Sequence, residues 1–126
     1  MLKNLLLIGA GGFIGSVARY LVSRLNNHVD WLSIPVGTLA VNVLGSLVIG
    51  VLMGIAEKSP ILNVELRMFL MVGLCGGFTT FSTFAGENLT LMRNGQFLSL
   101  FLYTGLSILL GFTAVYLGYI TTRLLN

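Results

Sequence analysis

The residues best suited to chemistry stand together at positions 73–84, which read Gly73-Leu74-Cys75-Gly76-Gly77-Phe78-Thr79-Thr80-Phe81-Ser82-Thr83-Phe84. Adjacent glycines run into hydroxyl residues inside a stretch otherwise apolar enough for lipid, which predicts a break in a helix at bilayer depth. Backbone groups freed by a break must be satisfied by protein, an ion or a water cavity, so function is expected near it. Phe81 and Phe84, at i and i+3, share a helix face. Rings presented edge-on offer a positive rim that stabilises a partly dehydrated anion without supplying a full charge. The plain alternative is packing against lipid or core.

Four further groups of residues could take part. Thr38, Asn42, Ser46, Gly50 and Gly54 recur every fourth residue and form one small, polar stripe. Such a stripe serves helix packing as well as a path, but a carboxamide in mid-span is costly unless its donors and acceptors are used. Glu87 is the sole acid well inside a span, where a charge costs about 2.5–3.5 kcal/mol at the centre; its nearness to Arg93 also suits the interface. Tyr103, Ser107 and Gly111 repeat at four-residue spacing and suit either a second hydroxyl track or close packing. Arg19 lies deep enough to need water or a polar partner, unless it snorkels to the surface.

The elements that must position these groups follow from composition. The chain has 126 residues, 56% hydrophobic and 9% charged, too little polar surface for a water-soluble globule. Four apolar runs, at about 2–25, 34–56, 67–91 and 97–122, each meet the roughly 20-residue length of a membrane helix. Polar interruptions at Asn26–Asp30, Glu57–Pro60 and Arg93–Gln96 separate them, and no linker is long enough to divide domains. The expectation is a single four-helix transmembrane domain over 1–126, all-α, with the third helix broken. Lys3, the apolar stretch after it and Ser16-Val17-Ala18 mimic a secretory signal, but three further spans would remain, so the segment is read as retained.

Lys3, Lys58, Arg67 and Arg123 fall on one side of such a bundle and Arg19, Arg24 and Arg93 on or toward the other. That near balance permits insertion in both orientations, hence an antiparallel pair, without requiring one. Cys75 is the only cysteine, read as a small packing residue. Nucleotide, metal-cluster and nucleic-acid motifs are absent, and no enzyme signature occurs. What is left is a polar, aromatic-edged path that four helices alone would pack shut, so a second copy is expected to supply its other wall.

With Gly76–Phe84 (GGFTTFSTF), GSVARY at 15–20, GTLAVNVLGS at 37–46 and Glu87 assembled, the full chain closely resembles the Fluc fluoride channels, also called CrcB proteins. The resemblance implies an antiparallel, dual-topology homodimer in the cell membrane, passing fluoride through two pores lined by both subunits. Phe81 and Phe84 resemble the family's pore phenylalanines, Asn42 its pore asparagine, Ser82 and Thr83 its pore hydroxyls, and Tyr103 with Ser107 the start of its fourth-helix track. The carbonyls of Gly76 and Thr79 resemble those that hold a structural sodium ion on the dimer axis. This sequence departs from the usual track at Gly111 and Val115, where hydroxyls often continue it. The implied mechanism is passive fluoride export driven by the membrane potential. Two rivals from other classes are a proton-coupled small multidrug exporter, whose first-helix carboxylate is missing here, and a structural membrane subunit in which the glycines and stripes serve packing alone.

Overall fold

The computed structural model describes residues 1–125. The described residues are all-helical in their regular structure, with four stretches long and apolar enough to cross a membrane: Leu2–Asn27, Val36–Lys58, Val64–Arg93 and Phe97–Leu124. They overlap the expected runs, and most of their ends extend beyond the apolar core into the flanking polar residues. A helix extends as long as its backbone bonds can be made, whereas hydropathy marks only its lipid-compatible middle.

Helix α1 (Leu2–Ser23) continues into a 3-10 turn, Arg24–Asn27. Leu32 and Ser33 then take positive φ values of 56° and 61° and reverse the chain, and Trp31 pairs with Ile34 across that turn. Helix α2 (Val36–Lys58) starts after Pro35, whose fixed φ ends the preceding loop. The third span opens with α3 (Val64–Arg67), capped by the Asn63 side chain, which accepts the Leu66 N–H at 2.9 Å. It proceeds through a π-helical stretch, Met68–Cys75, to α4 (Gly76–Phe78), and then to α5 (Ser82–Arg93). After α5, Gly95 at φ 73° allows its N–H to reach Met92 O while the Gln96 N–H reaches Leu91 O, a Schellman stop that turns the chain into α6 (Phe97–Leu124).

Two helix pairs carry most of the packing, α1 against the third span and α2 against α6. Glycines make both close. A β-carbon on Gly15 would stand 2.9 Å from Phe78 N, and one on Gly73 2.7 Å from Ile8 O. On the other pair, one on Gly118 would stand 2.9 Å from Val51 N. Backbone-to-backbone approach of this kind is how helices gain dispersion contact in lipid, where no hydrophobic drive joins them. Leu5, Leu6, Phe13, Phe101, Leu109 and Tyr116 remain exposed on the outside, as suits an acyl-chain solvent.

Charge collects at the ends. Lys3 pairs with Glu65 at 3.5 Å, Arg123 with Glu57 at 3.1 Å, and Lys58 donates to the Arg123 carbonyl, which gathers the starts of α1 and α3 and the finishes of α2 and α6 at one end. At the opposite end Gln96 donates to Ser33 Oγ at 2.9 Å and Ser99 to the Leu32 carbonyl, pinning the reversing loop to α6. Cys75 is buried with Leu52 and Leu62.

Candidate functional site

Between α4 and α5 the backbone leaves helical geometry at Thr79, with φ −82° and ψ 158°. Asn42, on the facing side of α2, takes up both polar groups of the next residue. Its Oδ1 accepts the Thr80 N–H at 2.9 Å, and its Nδ2 donates to the Thr80 carbonyl at 3.0 Å. The two bonds replace part of what the helical ladder would supply, which answers why a carboxamide is tolerated in mid-span. Thr80 Oγ1 accepts the Thr83 N–H at 3.2 Å and starts α5, and Thr79 Oγ1 donates back to the Cys75 carbonyl at 3.0 Å.

Phe81 and Phe84 leave this segment with ring centroids 5.8 Å apart and planes tilted by 49°. Phe84 lies 5.0 Å from the Tyr103 ring, tilted by 59°. Both phenylalanines line a cleft of about 520 Å³ together with Asn42, Ser46, Thr80 and Ser107, and Gly111 and Val115 lie farther along it. Among the described residues Ser107 Oγ is buried without a hydrogen-bond partner, so the cleft holds a spare hydroxyl. Phe81 itself is 78% exposed on the single chain.

The remaining sequence-selected residues lie elsewhere. Ser82 and Thr83 are exposed and do not line the cleft. Tyr103 is fully buried behind Phe84, and its hydroxyl donates to Glu87 Oε1 at 2.8 Å. Glu87 Oε2 accepts from Thr38 Oγ1 at 2.9 Å and from Asn26 Nδ2 at 3.4 Å. The carboxylate therefore faces donors on both oxygens, and it lines a second cavity of about 320 Å³ with Asn26, His28, Asp30 and Ser33. Arg19 turns inward, and its Nε donates to the Gly77 carbonyl at 3.1 Å near the finish of α4, where a cation complements the helix dipole.

The Gly76 and Thr79 carbonyls accept no hydrogen bond among the described residues, since the Thr80 N–H goes to Asn42 and the Thr83 N–H to Thr80 Oγ1. Gly76 is exposed, and a β-carbon there would meet only Met71 O, at 3.9 Å. Free carbonyl oxygens are hard donors that suit a hard monovalent cation, so the residues fit such an ion without being a complete shell. Among the described residues no cluster of three or more His, Cys, Asp or Glu side chains exists.

Asn26 and the backbone of Thr80 were not legible as site groups in the sequence. Asn26 reads as loop, and Thr80 acts through its backbone. Among the described residues Asn88 Oδ1 is buried without a partner one turn beyond Phe84, but Asn88 lines neither cavity.

Residues 6–119 match the family model described as CrcB-like protein, Camphor Resistance (CrcB). The chain belongs to the CrcB family. Among CrcB relatives, a protein of Azobacteroides pseudotrichonymphae is 43% identical over 123 residues, covering 98% of each chain. One from Phocaeicola vulgatus is 45% identical over 117 residues, covering 93% of this chain and 96% of its own. A third, from Flavobacterium psychrophilum, is 40% identical over 122 residues, covering 97% and 98%. Each of the three is named a fluoride-specific ion channel. The CrcB family is thus one of ion channels and not of enzymes, and this member is a multi-pass membrane protein.

Proposed function

We propose that the chain is a fluoride-selective channel of the cell membrane that gives passive, electrogenic fluoride export, working as an antiparallel homodimer with two pores. The observation that carries this reading is the cleft in which Phe81 and Phe84, the Asn42-held Thr80 and the unpartnered Ser107 hydroxyl meet. A small anion sheds part of its hydration shell there. Ring edges, the Ser107 hydroxyl and the remaining Asn42 N–H replace the lost water, and no full positive charge is present to hold the ion too tightly. Ser46 on α2 offers a further hydroxyl.

The open side of the cleft and the exposed Phe81 call for a second copy as the other wall, and Ser82 and Thr83 reach the path only as parts of that pair. In this arrangement the discontinuity at Thr79-Thr80 is a functional helix break. A structural sodium ion, where bound, would be held by the Gly76 and Thr79 carbonyls and would neutralise free carbonyl dipoles between the copies. The inside-negative potential drives the anion out, with about 2.3 kcal/mol available per charge per 100 mV.

Purified protein in liposomes loaded with fluoride is expected to release it to a fluoride electrode, with chloride nearly excluded, and to lose this in Phe81→Ile and Asn42→Asp. Proton-coupled drug efflux with no fluoride movement would favour an exporter instead. Silence in both assays would leave a packing subunit.

A further inference from the structure

We propose that Asn26, in the turn after α1, is a positioning residue that aims Glu87, and through it Tyr103 and Phe84. The inference rests on the channel reading of the cleft. Asn26 Oδ1 accepts the Gly37 N–H at 2.6 Å and the Thr38 N–H at 3.3 Å. Backbone N–H groups can only donate, so the carboxamide has one admissible orientation and its Nδ2 hydrogens point the other way. There Nδ2 donates to Thr38 Oγ1 at 3.2 Å and to Glu87 Oε2 at 3.4 Å. The Thr38 hydroxyl, having accepted that bond, donates its own proton to the same Glu87 oxygen at 2.9 Å. Oε1 is left for the Tyr103 hydroxyl at 2.8 Å.

The result is a relay of single polarity, in which every donor points toward Glu87 and reversal of one member misdirects the rest. It extends by ring contact from Tyr103 to Phe84 at 5.0 Å and from Phe84 to Phe81 at 5.8 Å, so a loop residue governs an aromatic pair on another element. Asn26 and Glu87 share the wall of one polar cavity, so side-chain orientation there is set by hydrogen bonds more than by close packing.

The two halves of the carboxamide separate two roles. Oδ1 holds the start of α2, and Nδ2 aims the carboxylate. Asn26→Asp keeps an acceptor for Gly37 and Thr38, removes the donor and sets a second carboxylate beside Glu87. Asn26→Ala removes both. With matched amounts of folded protein in liposomes, Asn26→Asp is expected to lose less thermal stability than Asn26→Ala, because it still caps the start of α2, yet to release fluoride about tenfold more slowly than the unsubstituted protein, because like charges at this range turn or neutralise one another. Asn26→Ala is expected to lose stability and flux together.

A transport-independent readout is fluorine NMR of fluorotyrosine-labelled protein, with the Tyr103 resonance identified through Tyr103→Phe. Asn26→Asp should shift that resonance. A shift seen where the unsubstituted protein itself moves no fluoride would keep the positioning role and sink the channel reading. An unshifted Tyr103 signal, or normal flux in Asn26→Asp, would overturn the positioning role.

Discussion

Asn42 and Ser107 line the same cleft, but their hydrogen bonding separates what each is for. Asn42 spends its oxygen and one N–H on Thr80, so Asn42→Ala strands the half-buried N–H and carbonyl of that residue. Each stranded group costs about 1–3 kcal/mol, and the variant is expected to unfold at visibly lower temperature in detergent. Among the described residues Ser107 Oγ makes no hydrogen bond that Ser107→Ala could break. That variant should match the unsubstituted protein in stability while its fluoride release falls. Equal flux would mean that the hydroxyl meets no ion. The comparison separates the double role proposed for Asn42, in which stability and flux fall together, from a pure ion ligand at Ser107, where flux falls alone.

The glycines of α1 and the third span form a seam whose tightness is a property of the helices as wholes. At Gly15 a β-carbon would crowd Phe78 N at 2.9 Å and Gly77 C at 3.2 Å, and at Gly73 it would crowd Ile8 O at 2.7 Å. Rigid backbone cannot yield as a flexible side chain can, so Gly15→Ala and Gly73→Ala should each destabilise by about 1–3 kcal/mol in detergent unfolding. Gly9 and Gly105 have nothing within 4 Å of the added carbon, so alanine there should be neutral or stabilise by up to about 1 kcal/mol. The π-helical stretch Met68–Cys75 lies against α1 in the same seam, directly before α4. A π-turn rotates the downstream residues relative to an α-helical continuation, and it therefore affects where Thr79 and the phenylalanines come to stand.

The proposed assembly makes demands that one chain cannot meet. Phe81 is 78% exposed and the cleft is open along one side. Crosslinking in native membranes should trap a dimer, and labelling of an introduced terminal cysteine should find it on both faces of the membrane in equal share. A single orientation would exclude the antiparallel pair. Release from liposomes should accelerate when a potassium gradient with valinomycin sets a potential favouring anion exit, since each charge gains about 2.3 kcal/mol per 100 mV. A rate indifferent to potential would exclude electrogenic transport.

Hydropathy and period told a good deal of this in advance. Apolar runs of membrane length decide the span number because lipid offers no partner for a free backbone group, and the four-residue stripe decides which face of α2 is polar. The nine residues from Gly76 to Phe84 and their companions carried the family likeness. None of this could reveal that Asn42 closes on the Thr80 backbone, that Tyr103 stands fully buried behind Phe84, or that a loop asparagine reaches Glu87 across 61 positions of sequence. Periodicity reports which side of a helix a residue occupies. Partners brought together from different helices depend on rotation and rise at each crossing, and those are set by the glycine seams and the π-helical stretch only once the helices have packed.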